Sequence, residues 1–295
     1  MSIPQRRSSR ALDVILLLIV LAGVCFAGYR INVGLHYDWN WSVIPQYILR
    51  YDSESGHWTA NYLLQGLFTT LRLSIWSGVF ALAIGLFVAL ARTGGSSFTR
   101  LISRCYVELM RNLPPLVLIF IFYYFLADQL TLFLGVDELV RNASSQVRAL
   151  ISLVLCRPDQ LSPFLAATLT LALFEGAYLS EIIRSGIQGV PVPQWEAAHA
   201  LGLTRQQALR TIILPQAFRQ ILPALAGQFI SLIKDSAIVS IISIQELSYQ
   251  GTQLMASTYL TIEVWVTISL MYLMLTLPAS VAVGWLETKM ARNSQ

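Results

Sequence analysis

Charged side chains set inside otherwise apolar runs are the residues of this sequence best placed to do chemistry. Glu175 stands in the middle of LALFEGAYLSE, and Tyr178 follows one helical turn later. Glu108 and Arg111 are three residues apart in YVELMRNLPP, Glu181 and Arg184 three apart in SEIIRS, and Lys234 and Asp235 adjoin in SLIKDSA. An ionised group in lipid is costly, so such residues face a bundle interior or a water-filled path. For Glu175 two readings stand side by side. In one its carboxylate, with Tyr178 beside it, faces that path and whatever passes along it; in the other it is a buried carboxylate satisfied by a hydroxyl or amide of another helix. The Glu108–Arg111 and Glu181–Arg184 spacings let each pair neutralise itself near the end of a span, where such a pair also helps to close a gate. Helix neighbours point about 100° apart, so Lys234 and Asp235 cannot both meet lipid cheaply, and an inward role follows.

None of this makes an enzyme active site, and no catalytic residue is assigned. G-x-x-x-x-G-K-[ST] is absent, and neither Lys234 nor Lys289 ends a glycine-rich phosphate loop. HExxH and G-x-S-x-G are absent too. Cys25, Cys105 and Cys156 form no CxxC pair, and His36, His57 and His199 are isolated, so neither a disulfide framework nor a metal site is expected. The formal charge of +4 is scattered between apolar runs, without the aromatic-interleaved basic patch of a nucleic-acid binder.

The elements that must position these residues are membrane spans. Hydrophobic residues make up 55% of the chain and charged residues only 12%, with a mean hydropathy of +0.60, too apolar for an ordinary soluble domain. An all-α integral membrane fold of about six transmembrane helices is expected. The first runs from Ala11 to Tyr29 behind Arg6, Arg7 and Arg10, and is long enough to cross a hydrocarbon core of about 30 Å. A cleaved signal peptide is the competing reading, but the apolar run continues past a typical h-region. Residues 31–60 read as an extracytoplasmic loop with interfacial aromatics. Further spans are expected at Asn61–Ala91, Cys105–Leu134 with a break or bend at Pro114-Pro115, Phe164–Ile183, Ile221–Ile244 and Glu263–Leu286. Residues 149–156 are too short to span and read as an interfacial or re-entrant helix, and 245–261 reads as an outer polar segment. With this layout Arg6, Arg7, Arg10, Arg92, Arg100, Arg104, Arg184, Arg205, Arg210, Arg219, Lys289 and Arg292 fall on one side, against Arg30, Arg50, Arg141, Arg148 and Arg157 on the other. That bias puts both termini in the cytoplasm of a multi-pass protein.

The most polar long stretch in the second half, QWEAAHALGLTRQQALRTIILP at 194–215, falls on the same side. Pro193 suits a first helical turn, Gly202 a turn, and Thr204 with Gln207 a capping box. Ala208, Leu209, Ile212 and Ile213 share one helix face and Gln206, Gln207, Arg210 and Thr211 the other, with Pro215 ending or kinking the helix. By periodicity alone this is an ordinary cytoplasmic loop.

Its spelling says more. Glu196-Ala197-Ala198, then Gly202, Ile212 and Leu214-Pro215 at their spacing, resembles the EAA loop of ATP-binding-cassette (ABC) importer permeases. GLFTTLRLS at 66–74, the 106–124 stretch, AYLSEIIRSGI at 177–187 and LIKDSAIVSIISIQEL at 232–247 extend the resemblance to the permeases for polar amino acids. Val192-Pro193-Gln194 stands where that family more usually has a Gly-Gln pair, and Asp235-Ser236-Ala237 where it has Asp-Thr-Ser. The resemblance implies a type I permease core of five spans in 61–292, an added span and loop in 1–60, and a coupling loop in 186–220. It implies a permease of the bacterial cytoplasmic (inner) membrane, surrounded by lipid, that binds no cofactor itself. Its implied partners are an ABC ATPase dimer using ATP and magnesium, a second permease subunit that is a copy or a relative, and a solute-binding protein. Glu196, Ala197, Ala198, Gly202, Ile212, Leu214 and Pro215 would seat in the ATPase, and the chain would translocate a polar amino acid by alternating access. An ion-coupled secondary transporter or channel, with Glu175 and Asp235 as ion sites, is the competing class, and an ABC permease for an opine or other modified amino acid the nearer alternative.

Overall fold

The computed structural model describes residues 10–34, 37–54, 56–94 and 96–292. Arg6 and Arg7, read as the basic flank of the first span, lie outside them. By its contacts the chain forms two units, residues 1–42 and 43–295. The first is built on the helix α1 (Arg10–Gly34), whose apolar stretch Val14–Arg30 leaves Leu16, Leu17 and Ile19 exposed.

The second unit begins with a short helix at Ile44–Ile48 and an antiparallel hairpin of β1 (Leu49–Asp52) and β2 (His57–Ala60), where a loop was expected. Tyr51 lies opposite Trp58, ring against ring at 5.5 Å, and such cross-strand aromatic pairs stabilise a hairpin. The bundle follows: α2 (Tyr62–Gly94), α3 (Ser97–Asn112), α4 (Pro115–Phe133), α5 (Ser145–Val154), α6 (Leu161–Gly189), α7 (Val192–Ala200), α8 (Arg205–Ile242), α9 (Leu247–Thr258) and α10 (Thr261–Arg292). Five helices among the described residues are long and apolar enough to cross a membrane, at Tyr62–Gly94, Pro115–Phe133, Pro158–Gly189, Arg205–Ile242 and Thr261–Met290. Residues such as Phe87, Phe125 and Phe133 stand exposed on them, as lipid contact requires.

The centre of the bundle is the contact of α2 with α6. Thr70, Ser74, Ser77, Ala81, Gly85 and Ala89 recur every three or four residues along one buried face of α2. Small residues there let two backbones approach, which is how packing holds helices together in lipid. A Cβ on Gly85 would lie 2.8 Å from that of Leu179, so this glycine is required by the close approach.

Three boundaries differ from expectation. The third span begins at Pro115, because Leu113 and Pro114 are extended and cut off α3 as a separate amphipathic helix. Pro215 does not end the second helix of the polar stretch: a wide π turn at Leu209–Ile213 makes room for a ring with no N–H to donate, and α8 runs on into the span. The segment read as an outer polar stretch, 245–261, holds the helix α9 (Leu247–Thr258), which packs on α2 and α10.

Candidate translocation site and coupling loop

Glu175 sits mid-way along α6, where almost every neighbour is buried, and is itself 1% exposed. Gln228 of α8 donates from Nε2 to its Oε2 at 2.8 Å, whereas Oε1 has no hydrogen-bond partner. The carboxylate forms part of the wall of a cavity of about 540 Å³, shared with Phe174, Tyr178, Gln228, Ser231, Lys234 and Asp235. The structure thus brings Glu175, Tyr178, Lys234 and Asp235 to one place. Lys234 and Asp235 are exposed along this wall, turned to the cavity they share with Glu175 rather than packed in the core. A cavity carrying two carboxylates and an ammonium suits a small solute with charges of both signs.

Below this cavity lies an ion cluster on a single carboxylate. Glu181 takes Arg92 of α2 at 2.5 Å, Arg184 of its own helix at 2.7 Å and Arg111 of α3 at 3.8 Å. The expected Glu181–Arg184 pair is present. The Glu108–Arg111 pair is not: Arg111 turns to the better-shielded Glu181 and lies over the Tyr178 ring at 5.8 Å. Glu108 instead accepts from the Asn112 amide at 3.0 Å and reaches Arg104 at 4.0 Å.

The polar stretch is a helix pair with one face against the bundle. The Leu203 N–H bonds the Ala198 carbonyl and the Gly202 N–H that of His199, with Gly202 at φ +77°, the left-handed close of α7 that a glycine adopts at least cost. Thr204 and Gln207 then cap each other at the start of α8. Ala198, Ala208 and Ile213 are buried, and Trp195, Leu209, Ile212 and Leu214 pack around Ile183, Ile187 and Ile221. Glu196, Ala197, Gly202 and Pro215 are exposed, as is Leu201 at 76%. Arg205 donates to the Thr93 carbonyl at 2.6 Å and Gln216 to Gln194 at 3.3 Å, tying the pair to α2 and to itself.

Residues 81–292 match the family described as the binding-protein-dependent transport system inner membrane component. The chain belongs to this family. The match takes in the ion cluster, the cavity and the whole Glu196–Pro215 stretch. The permease is 31% identical over 230 residues to the probable glutamine ABC transporter permease protein GlnM of Bacillus subtilis, covering 78% of this chain and 94% of the relative. It is 33% identical over 232 residues to the nopaline transport system permease protein NocM of Agrobacterium fabrum, covering 77% and 89%. Among solved structures, an amino acid ABC transporter crystallised with histidines aligns with a TM-score of 0.61 at 32% identity, over 77% of this chain and 94% of that one. The chain is a type I ABC importer permease, an all-α membrane subunit and not itself a catalyst.

Sequence reading missed two parts of the permease. Gln228 gives no signal of its own, since an amide in an apolar run is common. Glu246 drew no attention within the polar segment 245–261, and it is 0% exposed. It caps α9 through the Tyr249 N–H at 2.8 Å and accepts from Tyr272 of α10 at 2.8 Å and Thr70 of α2 at 3.3 Å. A glutamate just before a helical run was the available hint.

Proposed function

We propose that this permease moves a polar amino acid into the bacterial cytoplasm by alternating access, as one of two permease chains served by a solute-binding protein outside and a pair of ATPase subunits inside. Both termini and the Glu196 loop lie in the cytoplasm, in keeping with the charge bias. ATP and magnesium belong to the ATPase subunits, where the phosphate-loop chemistry absent from this chain resides. The exposed row Glu196, Ala197 and Leu201 is the seat for the ATPase. Ala198, Gly202, Ile212, Leu214 and Pro215 hold that row rigidly on α6 and α8, so that closure of the ATPase pair moves the spans.

The observation that carries the substrate class is the cavity in which the half-partnered Glu175 and Asp235 face the same space as Lys234. Carboxylates and an ammonium lining one space match the two charges of an amino acid zwitterion, with Glu175 and Tyr178 on its amino group. The Arg92, Arg111 and Arg184 cluster on Glu181, with Glu108 at its edge, lies between this cavity and the coupling loop and serves as the gate. The likeness to a nopaline permease favours one second reading, an amino acid derivative of opine type in the same cavity.

Co-purification with the ATPase, then uptake into ATP-loaded proteoliposomes with the binding protein outside, tests this. Glu196→Arg should abolish both. Solute uptake by the permease without any ATPase would instead establish the ion-coupled carrier or channel.

A further inference from the structure

Helix α3 has three faces, and the bundle uses only one. Ser103, Val107 and Met110 are buried. Phe98, Leu101, Ile102, Cys105 and Leu109 fall within an arc of about 100° on the helix and stand exposed, Phe98 at 70% and Leu101 at 60%. Between these faces run Arg100, Arg104 and Arg111. This strip borders a cavity of about 670 Å³ that Arg92, Arg100, Leu101, Arg104, Glu181 and Arg184 help to line. It lies at the same end of the bundle as the coupling loop, since Thr93 beside Arg92 accepts from Arg205.

The charge of this region is unbalanced. Arg92, Arg111 and Arg184 share one carboxylate, Glu181. Glu108 touches Arg104 only at 4.0 Å, both largely exposed, and among the described residues no carboxylate lies within ion-pair distance of Arg100. Five guanidiniums against two carboxylates leave a surplus of three positive charges.

We propose that the cavity binds the phosphate of an anionic phospholipid whose acyl chains lie along the Phe98, Leu101, Ile102 and Leu109 face. Guanidinium forks match phosphate oxygens two at a time, and basic pockets between membrane helices are suited to lipid headgroups. Leu101 belongs both to the cavity wall and to the apolar arc, which is where a headgroup must join its chains. A helix with an apolar face and a basic edge lies in the membrane interface, at the depth of those phosphates. A free anion accounts for the cavity but leaves the adjoining apolar arc without a partner.

The test uses the full chain in neutral detergent, titrated with short-chain phosphatidylglycerol, with phosphatidylcholine of the same chain length, or with glycerol phosphate. Thermal melting and native mass spectrometry are the readouts. Phosphatidylglycerol should remain bound and raise the melting temperature, while the other two do neither at equal concentration. Arg100→Gln with Arg104→Gln should weaken phosphatidylglycerol at least tenfold and leave the lipid-free melt unchanged, because both side chains are exposed. Leu101→Ser with Ile102→Ser should weaken it as well. Equal binding of phosphatidylcholine, or full binding by the double glutamine variant, overturns the proposal. An equal effect of glycerol phosphate overturns it in favour of a free-anion site, and displacement of the lipid on adding the ATPase overturns it in favour of a protein contact.

Discussion

Gln228 binds one oxygen of Glu175 at 2.8 Å, and the other oxygen, equally buried, meets no donor. An unsatisfied buried acceptor costs about 1–3 kcal/mol. A group that costs stability and lines a cavity together with Lys234 and Asp235 fits a ligand role better than a packing one. Glu175→Gln should therefore lower uptake at least tenfold at equal expression while the melting temperature holds or rises. Unchanged uptake would leave Glu175 as a structural carboxylate.

The three arginines on Glu181 depend on it unequally. Arg92 is the most shielded, and Glu181→Gln leaves it facing Arg184 without a counter-charge. Because the cluster is partly exposed, a loss of about 1–2 kcal/mol is expected rather than the larger cost of a fully buried pair. Melting curves should register it, and ATP hydrolysis by the assembled complex should lose its dependence on the loaded binding protein if the cluster is the gate.

Gly202→Ala should cost about 1 kcal/mol, since a Cβ there meets no neighbouring atom and the whole penalty is left-handed backbone. Faster hydrogen exchange at the Leu203 amide and weaker retention of the ATPase are expected. Gly202→Asn should do less harm, because asparagine tolerates this backbone. Equal behaviour of all three would mean that the turn does not set the position of Glu196.

Burial pushes the Glu246 carboxyl up from its ordinary 4.5 to about 6, against the pull of the Ser248 and Tyr249 N–H groups and the Tyr272 and Thr70 hydroxyls. The folded chain keeps that proton over a range where the unfolded chain has lost it. Its contribution is thus complete below pH 4.5 and declines as pH rises through about 6, by about 2 kcal/mol in all. Melts of the wild type between pH 4 and 7 should show this slope, and Glu246→Gln should flatten it.

Local chemistry made much of the permease legible. Long apolar runs announce spans because hydrocarbon admits only backbones satisfied within their own segment. The Thr204–Gln207 cap, the Gly202 turn and the buried Ala208 and Ile213 face are decided within a few residues, so their sequence signals carried through to the structure. The break before Pro115 was legible as a break but not as the start of a separate helix, since proline fixes its own φ and not the direction of the chain around it.

The sequence by itself determined which stretches are apolar enough to span a membrane, the spelling and local shape of the Glu196–Pro215 loop, and the charged residues that must avoid lipid. Only the tertiary structure decided which partner each charge takes. Arg111 had Glu108 one turn away and chose Glu181, Glu175 found Gln228 in another helix, and Glu246 drew hydroxyls from α2 and α10. The physical reason is that a pair three residues apart on a helix surface contributes a few tenths of a kcal/mol, whereas a carboxylate shielded from water holds its partners several times more strongly, and that shielding exists only once α2, α6 and α8 have come together.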